Sequence, residues 1–157
     1  MVKKLNIDIS SLTNDGCNLS WRFKPAELEL DILRDGEFTS EIRVDVRARW
    51  QGEQIEIDGD IRATGHFTCV RCLTEFDIEI ASSFKIVENA EDVFFRVPHG
   101  KEKSGIDIMP DIREELILAL PDYPLCENDC RGLCPSCGKN LNKLQCDCST
   151  EKFEEDQ

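Results

Sequence analysis

The sequence predicts an α+β domain, in which an antiparallel β-meander is covered by one main helix and followed by a cysteine-rich C-terminal module. Three observations support this prediction. Apolar and polar side chains alternate through residues 41–65, an apolar stripe with helical spacing runs through residues 108–120, and six of the nine cysteines lie within residues 126–148. A period of two marks half-buried strands, and three- and four-residue spacing marks an amphipathic helix.

Fewer strands and helices are predicted for the first forty residues than for the rest of the chain. Residues 2–9 alternate well enough for an opening strand, and residues 10–24 are polar, with a turn at residues 14–16. Apolar residues at positions 28, 30 and 32 indicate a second strand. Cys17 is the one cysteine without a close partner in the sequence, and it falls in the predicted loop, so we interpret it as a free thiol.

Residues 41–50 and 53–65 predict the first hairpin of the meander. A two-residue turn at Gln51 and Gly52 places Val46 opposite Ile57 on the apolar face. On the polar face, the same register sets opposite charges across from one another, and each such pair contributes a few tenths to about 1 kcal/mol. The predicted charge pairs are Arg47 with Glu56, Arg43 with Asp60, and Glu41 with Arg62.

A second hairpin is predicted to extend the meander. A turn at Val70 and Arg71 sets Ala63 opposite Ile78, and it places the C-V-R-C motif of residues 69–72 at the hairpin tip, with both sulfurs converging there. His66 then lies opposite Glu75, so we interpret it as a cross-strand partner rather than a ligand or a base. Residues 83–87 and 93–97 predict further strand.

The main helix is predicted after a polar linker over residues 98–106. Asp107 is the predicted cap, and Pro110 lies in the first turn, where proline is tolerated. Pro121 and Pro124 end the helix. The apolar stripe that would pack on the sheet consists of Ile108, Ile112, Leu116, Ala119 and Leu120.

Eight cysteines form four close pairs, and these predict a metal centre. Four thiolates are the ligand set of a closed tetrahedral zinc site, so we predict one or two structural Zn²⁺ sites, with iron in the same geometry as the alternative metal. The pairs are Cys69/Cys72, Cys126/Cys130, Cys134/Cys137 and Cys146/Cys148.

Spacing alone leaves three partitions of the four cysteine pairs open. We favour joining the third pair to the fourth, because the loop between them is short and closes at little entropic cost. The first pair would then share a metal with the second, and this metal would clip the C-terminal module to the hairpin tip.

Composition indicates where such a protein would act. The 157 residues carry a formal net charge of −13, and the sequence shows neither a signal peptide nor a membrane span. We therefore expect a cytoplasmic protein, in a compartment where thiols stay reduced and cysteine clusters hold metal. A strongly acidic chain repels phosphate backbones and attracts basic partners.

Three segments together resemble the YceD family, whose members are called large ribosomal RNA subunit accumulation proteins. The segments are F-T-C-V-R-C-L-T-E-F over residues 67–76, D-I-x(3)-I-R-E-E-L-I-L-A-L-P over residues 107–121, and C-x3-C-R-G-L-C-P-x-C-G-x-N-L-N over residues 126–142. The resemblance implies a bacterial-type cytoplasmic protein that 23S ribosomal RNA needs for processing or accumulation, during biogenesis of the large subunit. It implies no catalytic residue.

The sequence contains no G-x-S-x-G, P-loop, H-E-x-x-H or dinucleotide-binding motif. We therefore expect a non-enzymatic binding scaffold for a ribosomal protein or an rRNA-processing factor. The alternatives are an RNA-processing enzyme, a thiol redox switch, and direct binding of RNA by the cysteine-rich module. For direct binding, the predicted contacts are Arg131, Lys139 and Lys143. The sheet arginines at positions 43, 47, 49 and 62 are interpreted instead as structural, because three of them have a carboxylate opposite.

The predicted domain organisation has three parts. Residues 1–122 form the sheet-and-helix domain, residues 123–149 form a zinc-binding module packed on it, and residues 150–157 form an acidic disordered tail.

Overall fold

The computed structural model describes residues 5–30, 36–92 and 105–148, and over these ranges the fold is α+β with antiparallel sheets, as predicted. Two short 3₁₀ helices, Ile9–Ser11 and Pro25–Leu28, follow the first two strands. The helix α1 spans Met109–Ala119. The strands are β1 (Asn6–Asp8), β2 (Cys17–Phe23), β3 (Gly36–Phe38), β4 (Ile42–Gln51), β5 (Gln54–Thr68), β6 (Glu75–Asn89) and β7 (Gly105–Asp107).

Strand β5 is the centre of the main sheet. Strand β4 pairs with one edge of β5 and β6 with the other, so these three strands form the predicted meander. Strand β2 pairs with the outer edge of β4, and the short β3 pairs with β5 beyond the end of β4. Strands β1 and β7 form a separate two-stranded ribbon.

The core of the domain lies on one face of this sheet, which we call the inner face. Its side chains are β-branched and aromatic residues that alternate along each strand, the pattern expected of a half-buried sheet. The opposite, outer face carries mainly charged and hydroxyl side chains. The buried inner-face residues are Phe23 of β2, Ile42, Val44, Val46 and Ala48 of β4, Ile55, Ile57, Ile61, Ala63 and Phe67 of β5, and Ile80 and Phe84 of β6.

Helix α1 packs against β6 and covers the inner face with the predicted stripe, in which Ile112 and Leu116 are fully buried. The Asp107 carboxylate accepts hydrogen bonds from the N–H of Met109 (3.1 Å) and of Leu5 (3.0 Å). The N-cap position is Ile108, one residue after the predicted cap. Asp107 lies just before it, accepts from the first helical N–H, and ties the helix to the segment before β1. Among the described residues, no helix has the length and apolar character needed to cross a membrane.

The first hairpin has the predicted faces but a register that differs by two residues. Gly52 adopts a φ of 65° and takes the first turn position, so that Gln51 pairs with Gln54. Because the shift is even, every side chain stays on its predicted face and the core is unaffected. The charge pairs change, however, and Arg43 lies opposite Arg62 rather than Asp60.

The ion pairs of the outer face follow the observed register. The Arg49 guanidinium lies 2.6 Å from the Glu56 carboxylate, and the Lys85 ammonium group approaches the same carboxylate to 2.9 Å. Arg43 instead pairs along its own strand with Asp45, at 2.8 Å. The three predicted pairs, of Arg47 with Glu56, Arg43 with Asp60 and Glu41 with Arg62, are therefore wrong.

The second hairpin differs from the prediction in the same way. Its loop spans six residues, Cys69 to Thr74, and the N–H of Cys69 donates to the Thr74 carbonyl (2.9 Å). The longer loop moves Ala63 opposite Ile80 instead of Ile78. His66 now lies opposite Asp77, with Nδ1 2.7 Å from its carboxylate, while the Glu75 carboxylate is 3.8 Å from Nε2.

Two predictions for the N-terminal part are wrong. The polar segment contains strand β2, which Cys17 opens, and its residues at 17, 19, 21 and 23 alternate onto the inner face. The predicted strand near Leu28 begins instead as a 3₁₀ helix, because Pro25 fixes φ and the Glu27 carboxylate accepts from the Lys24 N–H (2.8 Å).

Several predictions lie outside the described residues. These are the strand over 93–97, the acidic tail over 150–157, Ile32, and the greater part of the linker over 98–106. The last two residues of that linker, 105 and 106, form β7 together with Asp107.

Candidate metal centre

The structure brings the eight paired cysteines together as two groups of four thiols, each group with its sulfurs within 4.8 Å of one another. This is the partition favoured from the loop lengths. All nine cysteines are free thiols, and Cys17 lies apart, packed against the core. The proximal cluster is Cys69, Cys72, Cys126 and Cys130, and the distal cluster is Cys134, Cys137, Cys146 and Cys148.

Both C-x-x-C motifs fold as the same turn, which we call a knuckle. In the β5–β6 loop, the N–H of Leu73 donates to the Cys69 carbonyl (2.9 Å), and Leu73 has a φ of 57°. In the distal cluster, the N–H of Gly138 donates to the Cys134 carbonyl (2.9 Å), and Gly138 has a φ of 71°. The first knuckle therefore uses leucine at a left-handed position where the second uses glycine.

Replacing Leu73 by glycine is expected to stabilise the protein by about 1 kcal/mol, because an L-residue pays a conformational penalty in the left-handed region. The Leu73 side chain is 63% exposed, so little burial is lost. The matched variant is Gly138→Ala, which should destabilise by a similar amount, since a Cβ there meets no atom within 4 Å and only the backbone is strained. Urea unfolding of the metal-loaded protein measures both, and a Leu73→Gly variant no more stable than wild type would contradict the strain.

The segment after α1 returns to the tip of the β5–β6 hairpin. The N–H of Val70 donates to the Pro124 carbonyl (3.0 Å), and the Arg71 guanidinium donates to the Cys130 carbonyl (3.0 Å). These bonds place Cys126 and Cys130 against Cys69 and Cys72. The proximal cluster therefore joins two parts of the chain that are far apart in sequence.

Two asparagines connect the distal arm to the proximal cluster. The Asn142 side-chain amide donates to the Cys130 sulfur (3.2 Å), and its Oδ1 accepts from the N–H of Arg131 (2.7 Å). The Asn140 side-chain amide lies 3.2 Å from the Thr74 hydroxyl, which in turn is 3.3 Å from the Cys72 sulfur. The sequence alone predicts no role for these residues, although N-L-N follows the distal knuckle after only one residue, Lys139.

The separations between sulfur atoms fit a tetrahedral four-thiolate metal site. In the proximal cluster, Cys69 lies 3.8 Å from Cys130 and Cys72 lies 3.5 Å from Cys126. In the distal cluster, Cys146 lies 3.3 Å from both Cys134 and Cys137. Four sulfurs about 2.3 Å from one zinc are about 3.8 Å apart, whereas a disulfide bond measures about 2.0 Å. The donor set is soft and suits zinc or iron rather than magnesium or calcium.

The pKa values of the thiols in the proximal cluster favour a bound cation. Burial would raise the pKa of the Cys69 thiol, but hydrogen bonds from the backbone N–H groups of Cys126, Cys72 and Arg71 outweigh it and lower that pKa to about 6. Burial and the neighbouring thiols raise the pKa of Cys126 to about 12. One thiol thus ionises readily while its neighbour resists a second negative charge. A bound divalent cation would remove this conflict.

The distal cluster shows the same contrast. Backbone N–H groups of Cys137 and Ser136 lower the pKa of Cys134 to about 6. The backbone N–H of Cys148 acts to lower the pKa of Cys146, but the adjacent thiols prevail and raise it to about 12. Both clusters therefore have the chemistry of a thiolate cage for a metal ion.

The two clusters differ in their exposure to solvent. In the proximal cluster, Cys69, Cys72 and Cys130 are buried, and Phe76, Leu125 and Leu133 pack against them. In the distal cluster, Cys137 and Cys148 are exposed. A proximal metal would therefore be an internal clamp, and a distal metal would lie at the surface.

Comparison with known proteins identifies the family. A family model described as "Large ribosomal RNA subunit accumulation protein YceD" matches residues 57–156. The match covers more than half of the chain and includes both cysteine clusters and the sheet from β5 onward. The chain belongs to the YceD family.

Relatives of this YceD chain occur in a plant and in bacteria. "Large ribosomal RNA subunit accumulation protein YCED homolog 1, chloroplastic" of Arabidopsis thaliana is 25% identical over 143 residues, covering 71% of this chain and 44% of that protein. An uncharacterized protein of Mycobacterium leprae is 30% identical over 124 residues, covering 73% and 54%. The uncharacterized protein YlbN of Bacillus subtilis is 30% identical over 119 residues, covering 73% and 66%. The chain thus spans about half the length of the first two relatives. No solved structure matches it.

The three basic residues that the sequence predicts as RNA contacts lie on the cysteine-rich module of this YceD chain. Arg131 directly follows Cys130 of the proximal cluster, Lys139 directly follows the distal knuckle, and Lys143 lies in the loop that leads to Cys146. All three are exposed. Contact between these side chains and RNA stays a prediction.

Proposed function

We propose that this chain is a non-enzymatic factor that 23S ribosomal RNA needs for processing and accumulation during biogenesis of the large ribosomal subunit. The observation that carries the proposal is the YceD family match, because it spans the central strands and both cysteine clusters. The name of the Arabidopsis relative describes accumulation of large-subunit ribosomal RNA for that protein.

In this proposal, two zinc ions act as structural clamps. The proximal cluster would bind one zinc and join the hairpin tip to the segment after α1, since Cys72 and Cys126 are separated by 54 positions in the sequence. The distal cluster would bind the other and fold the module around it. Protein thiolates would fill all four positions on each metal, which is the arrangement of structural rather than catalytic zinc. The protein would therefore work as a rigid binding scaffold.

The class of partner follows from charge and compartment. A chain with a net charge of −13 attracts basic surfaces, so we propose that it binds a basic ribosomal protein or an rRNA-processing factor. Clustered free thiols require a reducing compartment, and we accordingly propose the cytoplasm as the place of action.

Depletion of this protein from its own cells tests the proposal. We expect the ratio of mature 23S to 16S ribosomal RNA to fall, and to recover on expression of the wild-type chain but not of a Cys130→Ala variant. Affinity capture from the same cells should recover a ribosomal protein or a precursor of the large-subunit RNA. An unchanged RNA ratio after depletion would refute the proposal.

A further inference from the structure

The distal arm, residues 131–145, is a small hairpin whose turn is the distal knuckle. Leu133 forms an antiparallel bridge with Asn140, and the N–H of Leu141 donates to the Gly132 carbonyl (2.9 Å). The distal knuckle lies between these paired positions, so the fold of the arm depends on the distal cluster. A metal bound at that cluster would fix the arm in this shape.

Asn142, at the end of this hairpin, donates a hydrogen bond to the proximal cluster. Its side-chain nitrogen lies 3.2 Å from the sulfur of Cys130, which is buried. Its Oδ1 accepts from the N–H of Arg131 (2.7 Å), and this bond orients the amide so that the nitrogen faces the sulfur. The N–H of Asn142 donates in turn to the side-chain oxygen of Asn140 (3.0 Å), which joins the two asparagines.

Asn140 reaches another thiol of the proximal cluster through Thr74. Its side-chain amide lies 3.2 Å from the Thr74 hydroxyl, which is 3.3 Å from the Cys72 sulfur. A metal-bound thiolate carries no proton, so the hydroxyl would donate to this sulfur and accept from the amide. The arm thus supports one thiol of the hairpin tip and one thiol of the segment after α1.

Hydrogen bonds of this kind strengthen metal binding. Four thiolates around one divalent metal ion leave an excess of negative charge on the sulfur atoms, and N–H and O–H donors stabilise that charge. The same bonds hold each sulfur in the position that the metal requires. Removing such an outer partner typically lowers metal affinity by about 10- to 100-fold. The proximal cluster is therefore expected to bind metal more tightly when the arm is folded.

We propose that metal at the distal cluster raises the metal affinity of the proximal cluster, with Asn140 and Asn142 as the positioning residues that couple the two sites. This inference rests on the zinc clamps of the proposed function and goes beyond them, because two clamps could also act independently. Coupling at equilibrium is reciprocal, so metal at the proximal cluster raises the affinity of the distal cluster by the same factor. The two zinc ions would therefore bind cooperatively.

The difference in exposure sets the order in which the two metals would leave. Cys137 and Cys148 of the distal cluster are exposed, whereas Cys69, Cys72 and Cys130 of the proximal cluster are buried. Chelators and competing thiols therefore reach the distal metal first. Its loss would release the arm and weaken the clamp at the hairpin tip, so the rigidity of the scaffold would follow the supply of zinc.

The zinc affinity of the reduced full chain, measured by competition with a chromophoric chelator, tests the coupling. Asn142→Asp keeps the oxygen that accepts from Arg131 but loses the donor to Cys130. In the wild-type background, this variant is expected to lower the product of the two zinc binding constants about tenfold. In a Cys137→Ser/Cys148→Ser background, where the arm has lost its metal, it should lower the remaining binding constant by less than about twofold.

Cobalt-loaded forms of the same proteins report on the sulfur atoms directly. A hydrogen bond lowers the energy of the sulfur lone pairs, so its loss should move the sulfur-to-cobalt charge-transfer band to lower energy. A purely structural role for Asn142 would leave this band in place. Asn142→Ala, which adds no charge, should give the same band shift and the same loss of affinity. The matched controls are Asn18→Asp and Asn18→Ala in β2, away from both clusters, and both should behave as the wild type does.

The outcomes separate this inference from the proposed function. A loss of affinity in the wild-type background alone, together with the band shift, supports the coupling. Equal losses in both backgrounds, an unchanged zinc affinity or an unmoved band would overturn it and leave the two clamps in place. A wild-type chain that binds no zinc would overturn both the clamps and their coupling. Depletion decides the role in 23S RNA separately, so an unchanged RNA ratio refutes that role without altering the measured coupling.

Discussion

A Cys130→Ala variant is expected to lose one of two zinc ions and to release the C-terminal module from the sheet. Cys130 is buried, accepts a hydrogen bond from Asn142 at its sulfur, and receives the Arg71 guanidinium at its carbonyl. A structural zinc contributes roughly 10–16 kcal/mol of binding free energy at neutral pH. Loss of this zinc removes a large part of that free energy, so the free energy of unfolding should fall by at least about 5 kcal/mol.

Metal content measures the loss of zinc, thermal unfolding measures the loss of stability, and limited proteolysis measures the release of the module. Cleavage should appear within residues 121–130, which the proximal cluster otherwise holds against the hairpin tip. Cys17→Ala is the matched control, since Cys17 lies in β2 away from both clusters, and it should keep two zinc ions. Cys148→Ala should also lose one zinc, but with a smaller loss of stability, because the distal cluster is exposed. A Cys130→Ala protein with two zinc ions and wild-type stability would contradict the clamp.

A Gly59→Ala variant is expected to destabilise the sheet core by about 2–3 kcal/mol. Gly59 of β5 lies directly opposite Phe84 of β6, and the Phe84 ring covers its Cα so closely that an added Cβ would clash with the end of the ring. Phe84 is itself buried in the core, so the ring has little room to move aside. Glycine usually weakens a strand interior, but at this position it makes space for the aromatic ring.

A double-mutant cycle with Phe84→Leu tests this contact. Leucine in place of phenylalanine removes the end of the ring, so Gly59→Ala should cost at least about 1 kcal/mol less in that background than in the wild type. Urea unfolding of the four proteins with metal bound gives the coupling energy. Equal costs of Gly59→Ala in both backgrounds would show that the ring does not enforce glycine at this position.

The sequence predicts the faces of the sheet much better than its register. Alternation of apolar residues in β4, β5 and β6 fixes which side chains are buried, and a shift of two residues leaves that pattern intact. Both hairpins differ by such a shift. Gly52 has a positive φ and takes the first turn position of the first hairpin, and the knuckle from Cys69 to Leu73 lengthens the second loop to six residues. Charge complementarity across the strands predicts the wrong register. Surface ion pairs contribute too little free energy to decide which register forms.

The grouping of eight cysteines into two clusters could be predicted from the sequence. Four close cysteine pairs indicate the candidate ligands. The short loop between Cys137 and Cys146 indicates which pairs group together, and the structure shows the same grouping. The asparagines at 140 and 142 could not be assigned, because their contacts depend on how the distal arm folds back on the proximal cluster.

The alignment of Arg22, Arg43 and Arg62 across the outer face does not follow from the predicted register. That register places Arg43 opposite Asp60 and so indicates that the sheet arginines are paired, whereas the structure sets Arg43 between Arg22 and Arg62. Arg22 belongs to β2, although the sequence predicts a loop there. The sequence does contain a signal for that strand, namely the period-two alternation of apolar residues at Cys17, Leu19, Trp21 and Phe23.

Zinc-edge X-ray absorption, combined with the metal content of protein purified under reducing conditions, tests the two-clamp arrangement most directly. The expected result is two zinc ions per chain, each surrounded by four sulfur atoms at about 2.3 Å. Nitrogen or oxygen in the coordination shell, or a folded protein with less than one metal ion per chain, would contradict it.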